Sequence, residues 1–272
     1  MAAPVAVPPV DAVSTVAMLE GTRSIAGLST TVVGDPTSAR FVCVMLHGFA
    51  MSPADLSPFA HALGLPGLFV FPEGPLPAML EPGRVQGRAW WHIDPVARAQ
   101  ALALGPRDFA PQSPVDLPEA RRALLGFLRA LDAEDPGPGP SVRLPRFVTG
   151  FSQGGMLVAD CFMREPRWPR AAGLGFFSAS RIASTEWPPL PPHEAGVGLP
   201  VFLSHGHQDP DLAFSAGEAL RDRLLAARVD LTFVPFVGGH EIPLVVWRGF
   251  RRFLTAHLPL PPAGPEAITR AG

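Results

Sequence analysis

Arg146-Phe147-Val148-Thr149-Gly150-Phe151-Ser152-Gln153-Gly154, continued by Gly155-Met156-Leu157-Val158-Ala159-Asp160-Cys161-Phe162-Met163, is the stretch whose reading decides the fold. The first four residues read as an apolar strand and the last nine as a helix, with Gly150-Phe151-Ser152-Gln153-Gly154 between them. A G-x-S-x-G pentapeptide between strand and helix is the context of a nucleophile elbow. Its glycines answer a turn so tight that side chains there would collide. The serine is forced into a strained backbone, with its hydroxyl clear of the sheet tip. In a glycine-rich chain the pentapeptide alone is weak evidence, so its weight depends on partners elsewhere.

A serine hydroxyl is a poor nucleophile at neutral pH and needs a base that is itself oriented by an acid. With this elbow the chain order is serine, then acid, then histidine. Leu199 to Gly206 reads as a buried strand with Asp209 in the loop after it, and Leu231 to Val237 reads as the next strand, followed by Gly238-Gly239-His240-Glu241. Polar residues after three parallel strands converge on one rim of an open sheet. Ser152 is therefore the candidate nucleophile, His240 the base and Asp209 the orienting acid. Asp211 is the nearby rival acid, read as a cap for the helix that follows. The oxyanion of an acyl-transfer intermediate needs backbone donors. Gln153 N–H is one expected donor, at the positive end of its helix. Phe41 to Leu46 reads as an earlier strand and His47-Gly48-Phe49-Ala50 as its loop, which makes Phe49 N–H the second. His47 is read as a residue that holds this loop by hydrogen bonding.

The blocks Leu46-His47-Gly48, Gly150-Phe151-Ser152-Gln153-Gly154-Gly155, Ser204-His205-Gly206-His207-Gln208-Asp209-Pro210 and Gly239-His240-Glu241-Ile242-Pro243 together resemble the phospholipase/carboxylesterase family of α/β-hydrolases. That family includes small bacterial carboxylesterases and acyl-protein thioesterases. The resemblance spans about residues 40 to 256 and departs before about residue 35 and between 95 and 115. It implies an α/β-hydrolase fold, hydrolysis of carboxylic esters or thioesters, and no metal or organic cofactor. It also places Gly87-Arg88-Ala89-Trp90-Trp91-His92-Ile93-Asp94 over the acyl site. Neighbours in an extended segment point to opposite sides. One of Trp90 and Trp91 is thus expected to face a substrate pocket, and matching family segments favour Trp90.

The composition agrees with one α/β unit. The chain has 272 residues, 47% of them hydrophobic, which suffices for a sheet covered on both faces. A net charge of −2 leaves no basic footprint for nucleic acid. All 22 positive residues are arginine, and lysine, asparagine and tyrosine are absent, a bias that suits a GC-rich bacterial genome. Two cysteines, Cys43 and Cys161, cannot build a disulfide framework and read as buried thiols. The first residues lack a basic segment before any apolar one, and no apolar run reaches membrane-spanning length. A soluble cytoplasmic protein without membrane insertion is expected, its oligomeric state left open.

Strands alternating with helices imply a mostly parallel, doubly wound sheet with helices on both faces. One domain is expected over 1–272, with its core at about 35–258. Two short runs between Val13 and Val33, parted by Gly21-Thr22-Arg23-Ser24, suggest an antiparallel entry. Ser52-Pro53-Ala54-Asp55 starts a helix that should reach Leu63, followed by a strand at Leu68 to Phe71. Asp116-Leu117-Pro118-Glu119 starts another, with Leu117, Leu124, Leu125, Leu128 and Leu131 on its apolar face. Glu134 to Pro140 reads as a linker, Asp211 to Val229 and Pro243 to Leu258 as the last helices, and the tail beyond as frayed. Residues 72–114 form the least regular stretch, with a short helix at Val96 to Leu104, and are a candidate cap or pocket loop. His207, beside Asp209, is tempting as a second base, but the family pattern leaves that position variable. His61, His92, His193 and His257 carry no catalytic assignment, and no group of residues has metal-ligand spacing. The leading function is a serine hydrolase of small esters or thioesters; lactone or dienelactone hydrolysis, or acyl transfer, is the alternative on the same residues. A non-catalytic binding protein on this fold is the reading from another class.

Overall fold

The computed structural model describes residues 20–133, 143–169, 171–190 and 197–258. The linker at 134–140, His193, the first residues and the tail beyond 258 lie outside them. Eight strands form one sheet: β1 Glu20–Ile25, β2 Leu28–Val33, β3 Val42–Leu46, β4 Leu68–Pro72, β7 Arg146–Phe151, β8 Gly173–Phe177, β9 Pro200–Gly206 and β10 Asp230–Phe236. Their spatial order is β1-β2-β4-β3-β7-β8-β9-β10. β2 runs antiparallel to both its neighbours, and every pairing from β4 to β10 is parallel. The molecule has the α/β-hydrolase architecture, a mostly parallel sheet clad by helices.

Alternation along the strands sorts side chains to two faces. Val42, Val44, Leu46 and Val148 pack on one face against α3 (Leu117–Ala133), α4 (Gln153–Arg164) and α5 (Phe214–Ala226), through Leu124, Leu157 and Leu220 among others. Cys43, Met45, Phe147, Phe177 and Phe202 pack on the other against α1 (Pro53–Leu63) and α6 (Leu244–His257), through Leu56, Trp247 and Phe250. Both cysteines are buried and unbridged, and burial pushes the Cys43 thiol up to about 12. In α4 every residue but the last is buried, Asp160 included. Its carboxylate accepts from Arg121 Nη1 at 2.8 Å and Trp187 Nε1 at 2.7 Å, which compensates for lost hydration.

Several expectations need correction. Gly21 to Ser24 do not form the entry turn but lie inside β1. The turn is Ala26-Gly27, whose φ values of 48° and 82° are the two left-handed positions of a tight type I′ hairpin. β8 escaped detection because Gly173 and Gly175 interrupt its apolar run. Both lie against neighbouring side chains, a Cβ on Gly175 falling 2.8 Å from Thr149 Cγ2. The stretch from 72 to 114 is more regular than expected. It contains a hairpin, β5 Leu76–Glu81 and β6 Arg84–Ala89, and then α2 Pro95–Ala103, capped by Asp94 Oδ1 accepting Ala97 N–H at 2.7 Å. The hairpin is fastened to the loop after β3: Ala50 N–H donates to Arg88 O, and Arg88 N–H to Met51 O, each at 2.9 Å.

Candidate active site

The elbow comes from sterics at two glycines. A Cβ on Gly150 would stand 2.5 Å from Gly154 C, and one on Gly154 would stand 2.6 Å from His47 O. With both bare, β7 passes directly into α4, and Ser152 takes φ 51° and ψ −118°. Such a backbone costs on the order of 1–3 kcal/mol for a non-glycine residue. Ser152 N–H donates to Phe177 O at 2.9 Å and Met156 N–H to Ser152 O at 2.9 Å, so both sides of the turn are held.

The loops after β9 and β10 bring two more side chains to this point. Ser152 Oγ–H donates to His240 Nε2 at 2.8 Å, and His240 Nδ1–H donates to Asp209 Oδ2 at 2.6 Å. This direction leaves each group its ordinary donor or acceptor role with a neutral imidazole. Asp209 is 3% exposed, and its other oxygen, Oδ1, accepts from Asp211 N–H and Leu212 N–H at 2.8 Å each. The carboxylate therefore has its lone pairs satisfied despite burial. Ser178 Oγ–H donates to Glu241 O at 3.0 Å and tethers the histidine loop, and the His240 ring rests 4.9 Å from Phe151.

The loop after β3 reaches the same place. A Cβ on Gly48 would be 3.2 Å from Ser152 Cβ and 2.9 Å from Phe151 Cδ1, so glycine is required for the approach. Phe49 follows directly. Gln153 begins α4, so its N–H has no acceptor within the helix. His47 is fully buried, its Nε2 accepting from Gly74 N–H at 2.9 Å and its Nδ1–H donating to Gly48 O at 2.7 Å. Burial pulls its pKa down to about 4. His47 thus holds the loop and stands apart from the Ser152–His240–Asp209 chain.

Both tryptophans are buried, Trp91 wholly so. Trp90 is 1% exposed, donates its Nε1–H to His47 O at 2.9 Å and packs on the His47 ring. Trp91 borders a cavity of about 460 Å³. The two residues are clamped by the Gln153 side chain: Trp90 N–H donates to Oε1 and Nε2–H donates to Trp91 O, both at 2.9 Å. No sequence signal separated this side-chain role of Gln153 from its backbone role. Asp211 also differs from expectation. It caps no helix, since α5 begins at Phe214 without a side-chain cap, and instead pairs with Arg98 at 2.8 Å and with Arg107. It thereby ties α2 to the acid loop. His207 is exposed, its ring tilted against Phe214 with centroids 4.1 Å apart. The His92 backbone N–H donates to Asp116 Oδ2 at 3.0 Å.

His205, whose role the sequence did not signal, is wholly buried beside Asp209. Its Nε2 lies 3.1 Å from Leu212 O and 3.4 Å from Asp209 Oδ2, and its Nδ1 lies 3.2 Å from Ala179 O. Among the described residues, no group of three or more His, Cys, Asp or Glu is arranged to hold a metal ion, and no helix is long and apolar enough to cross a membrane.

The family model described as Phospholipase/Carboxylesterase matches residues 145–258, which include the elbow, the acid loop and the histidine loop. Acyl-protein thioesterase 1 of Neurospora crassa is 30% identical over 120 residues, 41% of this chain and 46% of that protein. The chain thus aligns with about half the length of that curated relative. Among solved structures, esterase PE8 superposes with a TM-score of 0.64 at 24% identity, over 85% of this chain and 99% of that one. A carboxylesterase from Mesorhizobium loti gives a TM-score of 0.65 at 16% identity, over 87% and 98%. At these identities the superpositions speak for the fold.

Proposed function

On an α/β-hydrolase fold related to the phospholipase/carboxylesterase family, we propose that the chain is a serine hydrolase of carboxylic esters or thioesters working through an acyl-enzyme. The observation that carries this reading is the continuous hydrogen-bonded chain Ser152 Oγ, His240, Asp209 at 2.8 and 2.6 Å. Ser152 Oγ attacks the acyl carbonyl as its proton passes to His240 Nε2. Asp209 accepts from Nδ1–H throughout, fixing the tautomer and stabilising the imidazolium that forms. The negative charge on the former carbonyl oxygen is taken by the N–H groups of Gln153 and Phe49. Each such donor contributes on the order of 3 kcal/mol to the transition state in comparable sites. Collapse expels the alcohol or thiol, which takes the proton back from His240. Water then attacks the acyl-Ser152 ester by the same route and frees the acid.

The test is pre-steady-state turnover of p-nitrophenyl butyrate. A burst of nitrophenolate stoichiometric with protein is expected, because acylation releases the phenol before water is needed. Ser152→Ala should remove the burst and lower turnover by about 10⁴-fold or more with the fold intact. Retention of a tenth of the activity in that variant would remove Ser152 from the reaction.

A further inference from the structure

The cavity bordered by Trp91 is lined by apolar groups such as Phe109, and also by two guanidiniums, Arg98 on α2 and Arg107 just beyond it. Their side chains are 22% and 11% exposed. Both are paired with one carboxylate, Asp211, and Arg107 Nε–H also donates to Asp211 O at 3.5 Å. Asp211 thus serves both cations directly, and the Asp209 carboxylate also acts on Arg107. A guanidinium has five N–H donors, and no other acceptor on the described residues meets those that remain. The other ionisable groups at the cavity do not neutralise the pair. Asp94 is exposed and caps α2 through Ala97 N–H, and His92 is exposed. Burial lowers the pKa of both arginines, and at Arg107 the Arg98 charge adds to this while the Asp209 carboxylate opposes it, leaving Arg107 at about 10. An incoming anion would relieve that repulsion.

Ser152, His240 and Asp209 do not line the cavity, but groups beside them bond to or pack on residues that do. Trp91 O accepts from the side chain of Gln153, the neighbour of Ser152, at 2.9 Å. Arg98 Cζ lies 5.9 Å from the Phe49 ring centroid. Asp211 N–H donates to Asp209 Oδ1 at 2.8 Å. We infer that this cavity is the subsite for a negatively charged part of the substrate, an ester bearing a carboxylate that Arg98 and Arg107 grip. The inference rests on the serine-esterase reading and narrows its substrate class. A planar guanidinium fork fits a carboxylate with two parallel hydrogen bonds, and such charged bonds are the strong ones. The carboxylate belongs either to the acyl group or to the alcohol.

Two pairs of esters distinguish these sources, each rate being normalised to spontaneous hydrolysis. For the acyl side, p-nitrophenyl hemiglutarate is compared with its methyl ester. For the alcohol side, 3-carboxyphenyl butyrate is compared with its methyl ester. In one pair the charged ester should be favoured in kcat/KM by about tenfold or more. Arg98→Gln and Arg107→Gln should each reduce that preference about tenfold, and Arg98→Lys should restore part of it. Free glutarate should inhibit the unmodified protein competitively, and glutaramide should not. Should a variant fail to fold, the preference and inhibition of the unmodified protein decide the matter. Normal turnover of neutral esters with no preference in either pair overturns the inference alone. So does a preference that survives both glutamine variants. Failure to turn over any ester overturns the hydrolase reading itself.

Discussion

Asp209 and Asp211 stand two residues apart in one loop, yet their surroundings divide them sharply. Asp209 faces His240 at 2.6 Å, and Asp211 faces Arg98 and Arg107. Asp209→Asn should reduce butyrate ester turnover by about 10⁴-fold, because an amide donating to Nδ1 enforces the wrong imidazole tautomer. Asp211→Asn should change that turnover by less than about fivefold and lower the unfolding midpoint, since it leaves two largely buried guanidiniums without their anion. Steady-state kinetics and urea melts of both variants check this, and a reversed pattern would make Asp211 the acid. Ser152, Asp209 and His240 could be picked out from the sequence because each is a polar residue following an apolar strand. The pairing of Asp211 with arginines more than a hundred positions earlier left no such local mark. A helix cap was the natural local reading, and the long-range ion pairs displaced it.

At the scale of elements, the elbow tolerates almost no change. A Cβ at Gly150 would meet backbone atoms of Gly154 and Gly155 at 2.5 Å, and backbone cannot rotate away as a side chain can. Gly150→Ala should therefore destabilise the protein by about 3 kcal/mol or more, comparable to severe overpacking, and thermal melting would show it. A variant with unchanged melting would mean that the turn is looser than described. The strands and helices with clean apolar periodicity, β3, β4, β9, β10, α1, α3 and α6, were legible within a few residues. β8 was not, because glycine at Gly173 and Gly175 answers to neighbouring side chains. The β5–β6 hairpin was missed because Arg84 to Ala89 lies largely on the surface, where few apolar residues betray a strand.

Over the whole molecule, two buried histidines should set the acid limit of stability. His47 is held down to about 4 from its ordinary 6.5 by burial, and His205 is shifted in the same direction for the same reason. Between those values the unfolded chain takes up protons that native His47 refuses. Stability should then be level above about pH 6.5 and decline as pH falls toward 4, by on the order of 3 kcal/mol from His47. Urea midpoints at pH 7, 5.5 and 4.5 measure the decline, and a midpoint that rises on acidification would contradict it. The central claim is that one fold brings three separate loops together to activate one serine. Intact-mass spectrometry after treatment with a fluorophosphonate tests it most directly. One adduct per chain, mapped to Ser152, lost in Ser152→Ala and strongly slowed in His240→Ala, is the result expected. An unlabelled native protein, or an adduct that persists in Ser152→Ala, would contradict the account.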